Sequence, residues 1–193
     1  MSYDGFAHSN LMIRRKIFAF LGQKFHIYAP DGRLVFYTKQ KAFKLKEDIR
    51  IFTDESMTTE VLWIQARAVI DFGMTYDVYD QIARQKVGAL RRKGIKSILR
   101  DEWHILDAYD QQIGTIQEDS MGLALVRRFL SNLIPQKFHA DVGGYLVMNF
   151  SQRFNPFVPK IDLDFTPDVN GYLDRRLGVA AGVLLAAIEG RQG

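Results

Sequence analysis

A chain of 193 residues and 22.2 kDa has the length of a single domain. Its 47% hydrophobic and 25% charged residues exclude global disorder, and the absence of cysteine excludes disulfides, thiolate zinc sites, a thiol nucleophile and a palmitoyl anchor, so a reduced, cytoplasmic setting is the expectation. The net charge of +4 hides an asymmetry: residues 1–100 hold 18 Lys+Arg against 10 Asp+Glu (+8), and residues 101–193 hold 8 against 12 (−4). Such an imbalance accompanies an anionic partner or is ordinary solvated surface charge.

Residues 1–10 read as an N-terminal tail, and the whole chain, 1–193, as one domain. Arg14, Arg15 and Lys16 precede the five apolar residues Ile17–Leu21, short of the roughly 7–15 that a signal peptide needs, so no secretion signal is expected. From there most of the chain reads in period 2. The strand candidates are Leu11–Ala19, Phe25–Tyr28, Leu34–Thr38, Ala42–Leu45, Ile49–Thr53, Val61–Gln65, Tyr76–Tyr79, Lys86–Leu90, Trp103–Leu106, Ile113–Gln117, Gly144–Phe150 and Ile161–Phe165. Turn residues such as Pro30-Asp31-Gly32 and Tyr109-Asp110 separate them.

An internal repeat supports the same reading. Phe25 to Phe36 aligns without gaps on Trp103 to Gly114, and Tyr76 to Leu90 fits with one extra turn residue. Each copy is a strand, a polar turn and a second strand, which is a β-hairpin. Helical candidates are few. Met121–Leu133 spaces Leu123, Val126, Leu130 and Leu133 helically, and Gly94–Arg100 is a single turn or a loop.

The segment Leu177–Ile188 carries no polar side chain on any face and is bounded by Asp174, Arg175 and Arg176 before it and Glu189 and Arg191 after it. A helix that is apolar all round must be buried. Twelve residues span about 18 Å, against a hydrocarbon core of about 30 Å, so a central helix over residues 172–190 buried in protein is expected rather than a membrane span. A sheet closed around the helix covers every face, and a barrel of about twelve strands is wide enough to need such a plug. The expected fold is therefore mainly β: a closed antiparallel barrel of about twelve strands enclosing a C-terminal hydrophobic α-helix. Gly178, Gly182 and Ala186 then mark a stripe where the wall comes close to the helix.

Arg15-Lys16-Ile17-Phe18 leading to Lys24-Phe25-His26-Ile27-Tyr28, then Asp31-Gly32, Tyr37 to Phe43, and the ending Gly171-Tyr172-Leu173-Asp174-Arg175-Arg176-Leu177 resemble the tubby C-terminal-like superfamily. That group includes the LURP-one-related proteins and the phospholipid scramblases. The resemblance implies a twelve-stranded barrel around a central helix, and a non-enzymatic protein with phosphoinositide binding through surface basic residues as one inherited possibility. Two scramblase features are missing: there is no cysteine cluster, and a calcium loop through Asp168, Asn170 and Gly171 would put Leu177 where the bidentate acid belongs. A plain turn ahead of the helix is the expectation, with no metal and no cofactor.

The strongest charge feature is residues 84–100, with Arg84, Lys86, Arg91, Arg92, Lys93, Lys96 and Arg100 and no acid between them. Arg91, Arg92, Lys93, Lys96 and Arg100 are the candidate lipid-binding residues, since polybasic clusters attract anionic headgroups. Lys39, Lys41, Lys44 and Lys46 form a second basic group. The competing reading is a solvated strand edge protected by its charges. A nucleic-acid partner is not expected, because no aromatic interleaves these residues. No catalytic motif is present, His26 and His104 hold equivalent repeat positions that suit packing, and Asp162 and Asp164 share a solvated strand face. Phe154–Pro159 is a lid over one barrel end or a protein-docking patch, which leaves an adaptor role as the alternative to lipid binding.

Overall fold

The apolar–polar alternations become strands with one dry and one wet face. Leu11, Ile13 and Arg15 are buried in the first strand while Met12, Arg14 and Lys16 are not, and in the last Ile161 and Leu163 are buried between Asp162 and Asp164. The structure, a computed structural model, describes residues 3–18, 22–40, 48–67, 74–93, 102–119, 136–153 and 158–188. Its strands are β1 (Asn10–Phe18), β2 (Gly22–Tyr28), β3 (Leu34–Gln40), β4 (Asp48–Phe52), β5 (Glu60–Ala66), β6 (Met74–Asp80), β7 (Gln85–Arg92), β8 (Glu102–Leu106), β9 (Gln112–Glu118), β10 (Lys137–Val142), β11 (Tyr145–Arg153) and β12 (Lys160–Asp164), followed by the helix α1 (Arg175–Ile188). Each strand pairs antiparallel with its sequence neighbours, and β1 pairs with β12, so the sheet closes into a twelve-stranded barrel.

The count of twelve agrees with the sequence, but one member differs. Ala42–Leu45 lies outside the described residues, and the twelfth strand is β10, absent from the period-2 reading. Ala140 and Asp141 are weak strand formers, and the β10–β11 register shifts between them, which blurs the alternation. The available signal was Gly143-Gly144, a two-residue turn with φ of +59° and +84°. Met121–Leu133 and Gly94–Arg100 also lie outside the described residues.

The repeat is real in three dimensions. In the copies β2–β3, β6–β7 and β8–β9 the register shifts at the same place, after Ile27, Val78 and Ile105. The residue with left-handed backbone also recurs: Gly32 at φ +83°, Arg84 at +53° and Asp110 at +66°. The amides of Gly32 and Asp110 donate to the carbonyls of Ala29 and Asp107 at 3.0 and 3.1 Å, the same bond in two copies. Asp107 steadies its turn by accepting from the amides of Tyr109 and Gln111, both at 2.9 Å.

The barrel surrounds α1, whose Val179, Ala180 and Val183 are completely buried and whose Leu177, Leu184 and Leu185 nearly so. Each buried Val or Leu contributes about 1.5–3 kcal/mol, which makes this helix the centre of the core. A side chain at Gly178 would overlap the Phe165 ring, and one at Gly182 would lie 2.7 Å from Leu163 Cδ1 and 3.2 Å from Ile13 Cδ1, so the small-residue stripe marks close approach of wall side chains. Asp4–Ala7 forms a 3-10 turn, and Tyr3 and Phe6 pack on Phe36 at ring separations of 5.6 and 4.8 Å, closing the barrel beneath the start of the helix.

Asp174 is the N-cap of α1 and accepts from the amide of Arg176 at 2.9 Å. Arg176 Nη1 also donates to the buried Asp80 at 2.6 Å, joining the helix to the turn after β6. Asp168 is buried, and its two carboxylate oxygens accept from the amides of Tyr172 at 2.8 Å and Leu173 at 3.2 Å. This carboxylate is committed to the approach of the helix, in agreement with a turn rather than a calcium loop. Asp168→Ala is expected to cost about 1–3 kcal/mol by orphaning two amides. Thermal melts of the wild type in calcium and in chelator are expected to coincide, and a calcium-dependent rise in Tm would contradict this geometry.

Candidate functional site

Strict antiparallel alternation sorts the connections between the two ends of the barrel. The short hairpin turns 29–33, 53–59, 81–84, 107–111 and 143–144 share one end, here the turn rim. The odd-numbered strands β1, β3, β5, β7, β9 and β11 finish at the other end, the upper rim.

This sorting divides the basic run of residues 84–100. Arg84 and Lys86 belong to the turn rim, while Arg91, Arg92 and Lys93 stand at the upper rim, with Lys86 and Arg91 about 16 Å apart along β7. Lys86 is also neutralised. Its Nζ lies 3.0 Å from Asp77 and 2.7 Å from Asp110, and Arg67 contacts the same two carboxylates, both at 2.5 Å. Hydrogen bonds from Arg67 and then Lys86 pull Asp110 down to about 2. The residues that sequence places together are therefore not one patch.

Of the candidate residues, Arg91 is exposed, and its Nε donates to Thr75 Oγ1 at 3.3 Å. Arg92 lies over the buried Trp103 ring at 5.9 Å, a cation–π placement that fixes its stem. Lys93 Nζ is 3.2 Å from Glu102 Oε1, which His104 Nε2 also approaches at 3.1 Å. Burial raises the Glu102 carboxyl, but the hydrogen bonds from His104 and Lys93 outweigh it and hold the group below its ordinary range. Lys96 and Arg100 lie outside the described residues, as do Lys41, Lys44 and Lys46, while Lys39 is exposed at the end of β3.

Register reveals a basic row that linear spacing conceals. Lys16 of β1 pairs with Lys24 of β2, and Lys24 pairs with Lys39 of β3. One pair further down, Arg14 stands between Lys160 and His26, and Lys160 stands opposite Arg153. Like charges directly opposite destabilise a sheet. Among the described residues no carboxylate lies within ion-pair distance of Lys16 or Lys39, whereas Arg153 is held by Asp162 at 2.5 Å. These residues are 8 and 15 positions apart in sequence. The hairpin alignment was the one signal that could have brought Lys24 and Lys39 together.

The histidines and acids hold local positions. His26 is buried, its Nε2 2.9 Å from Glu55 Oε1 and its ring edge-on to Tyr37 at 5.1 Å. Asp162 engages Arg153, and Asp164 Oδ1 accepts from the Thr166 amide at 2.9 Å, so the two acids on this face serve separate neighbours. Residues 154–157 of the lid or patch fall outside the described residues, and the Pro159 carbonyl accepts from the Arg15 amide at 3.0 Å. Among the described residues no group of three His, Asp or Glu side chains is arranged to hold a metal ion, and no helix is long and apolar enough to cross a membrane.

Comparison with known proteins agrees with this architecture. A solved structure of an Arabidopsis thaliana protein matches with a TM-score of 0.52 over 99% of each chain at 12% sequence identity, which shows a shared fold. No curated protein matches the sequence. The family model for LURP-one-related proteins matches residues 34–186, from the third strand almost to the end of the central helix. A twelve-stranded barrel closed around its own C-terminal helix, matched over most of its length by that model, belongs to the LURP-one-related family.

Proposed function

We propose that this protein is a non-catalytic module that binds anionic phospholipid headgroups at a membrane surface through the basic upper part of its barrel. The observation that carries this reading is the cross-strand row Lys16–Lys24–Lys39. Lys16 and Lys39, the outer two of the row, are exposed and have no carboxylate within ion-pair distance among the described residues, so both are open to an external anion. Arg91 and Lys93 add exposed cations on the same rim, a third of the way round the barrel from β3. Each Lys or Arg near an anionic surface contributes about 1 kcal/mol.

Liposome co-sedimentation tests the reading. The wild type is expected to bind vesicles containing acidic lipid, to release them at high salt, and to ignore neutral vesicles. Lys16→Gln/Lys24→Gln/Lys39→Gln is expected to lose at least roughly tenfold in affinity, given about 1 kcal/mol per lysine. Arg91→Ala/Arg92→Ala/Lys93→Ala is expected to lose less, because Arg92 and Lys93 already have partners in Trp103 and Glu102. Equal binding to both vesicle types, or to neither, sinks the proposal. A second reading, an adaptor that docks on another protein, is favoured by the turn rim, where Tyr109 and Val169 are 85% and 84% exposed and Tyr145 stacks on Tyr172 at 5.0 Å.

A further inference from the structure

The inward face of β1, β2 and β3 turns polar towards the upper rim. On the inward face of β1, β2 and β3, Phe25 stands between Arg15 and Thr38, and the next inward pair is Gln23 with Gln40. All four polar side chains are at least 96% buried, since Arg15, Gln23, Thr38 and Gln40 expose 4%, 4%, 0% and 3%. Arg15 Nε donates to Gln23 Oε1 at 2.5 Å. Among the described residues, the hydroxyl of Thr38 and both the nitrogen and the oxygen of the Gln40 amide have no hydrogen-bond partner.

Burying an amide and a hydroxyl without partners is costly, and a native chain retains such groups where something else satisfies them. Their position narrows what that is. Gly182 packs against Ile13, and Arg15 lies two residues further along β1, about 6.6 Å, level with the helical turn that follows Gly182. The cluster therefore sits beside the end of α1, where the last carbonyls lack intrahelical partners and a cation such as Arg15 is favoured. An unpaired amide requires an acceptor for its N–H and a donor for its oxygen, side by side. A carboxylate supplies acceptors alone and would leave Gln40 Oε1 orphaned, and a phosphate would bring a full charge into the buried wall.

The geometry points to an internal ligand site in which Gln40 and Thr38, beside Arg15 and Gln23, bind a small molecule through a neutral carboxamide-like edge that offers a donor and an acceptor together. This site is separate from the basic surface, and neither depends on the other.

Nuclear magnetic resonance of the full chain tests it, with the Gln40 side-chain amide assigned by its loss in Gln40→Leu. Titration with acetamide is expected to move that resonance saturably, while acetate and inorganic phosphate are not. Thr38→Val is expected to weaken the acetamide response at least fivefold, and Thr38→Ser, which keeps the hydroxyl, to retain it. A wild-type resonance that none of the three probes moves overturns the site, and so does an equal response in Thr38→Val. Saturation by acetate or phosphate in place of acetamide overturns the ligand class. A Gln40→Leu protein that melts higher than wild type, with no probe response in wild type, shows stranded polar groups and no site.

Discussion

Gly178→Ala is expected to destabilise the protein by about 1–3 kcal/mol, although alanine is the better helix former by about 1 kcal/mol. The new methyl would overlap Cε1 of Phe165 and stand 2.9 Å from its Cζ. That ring has little room to move: Phe165 is buried, and the Arg175 guanidinium lies over it at 4.6 Å. Gly182→Ala makes an informative companion. Its closest neighbours are the terminal methyls of Leu163, at 2.7 and 2.8 Å, which change rotamer more easily than a stacked ring. The smaller loss is therefore expected at Gly182. Urea denaturation of both variants measures the difference, and a stabilised Gly178→Ala would mean that helix and wall are further apart than described.

Arg176→Ala is expected to cost about 2–4 kcal/mol, somewhat below the range for breaking a fully isolated buried pair. The reason lies in Asp80, which keeps the amides of Ile82 and Ala83 at 2.8 Å when its bond to Arg176 is lost. Burial raises the Asp80 carboxyl, yet those amides and Arg176 together hold it below its ordinary value. A carboxyl with a lowered folded-state value contributes stability that is fully present above about pH 4 and is lost as pH falls through the folded value. Arg176→Ala removes part of that lowering, so the gap between variant and wild type is expected to narrow as the pH drops below about 4. A gap that stays constant with pH would show that Arg176 acts through packing alone. Asp80→Asn combined with Arg176→Ala should cost less than the two single changes added, because the residues share one bond.

Much of the fold was legible before any coordinates. Leu177–Ile188 has no polar face, is too short for a bilayer and is bounded by charges, so it had to be enclosed by protein. Eleven of the strands follow from period-2 alternation, and the repeat marks three hairpins down to the left-handed residue at Gly32, Arg84 and Asp110. β10 escaped because alternation is legible only when the residues themselves are strand formers, and Ala140 and Asp141 are not.

The candidate site was far less legible. Sequence order joins Lys86 to Arg91, but β7 carries them to opposite ends of the barrel and Asp77 and Asp110 neutralise Lys86. Lys16, Lys24 and Lys39 look scattered, and only pairing register sets them side by side. Likewise Arg15, Gln23, Thr38 and Gln40 are unremarkable strand residues until closure of the wall turns them inward beside the helix end. Burial and periodicity are properties of short segments, so local composition determined the strands, the helix and their enclosure. Charge partnership and ligand geometry depend on which distant residues become neighbours, and that was settled by the pairing register of adjacent strands and by the curling of the wall around the helix.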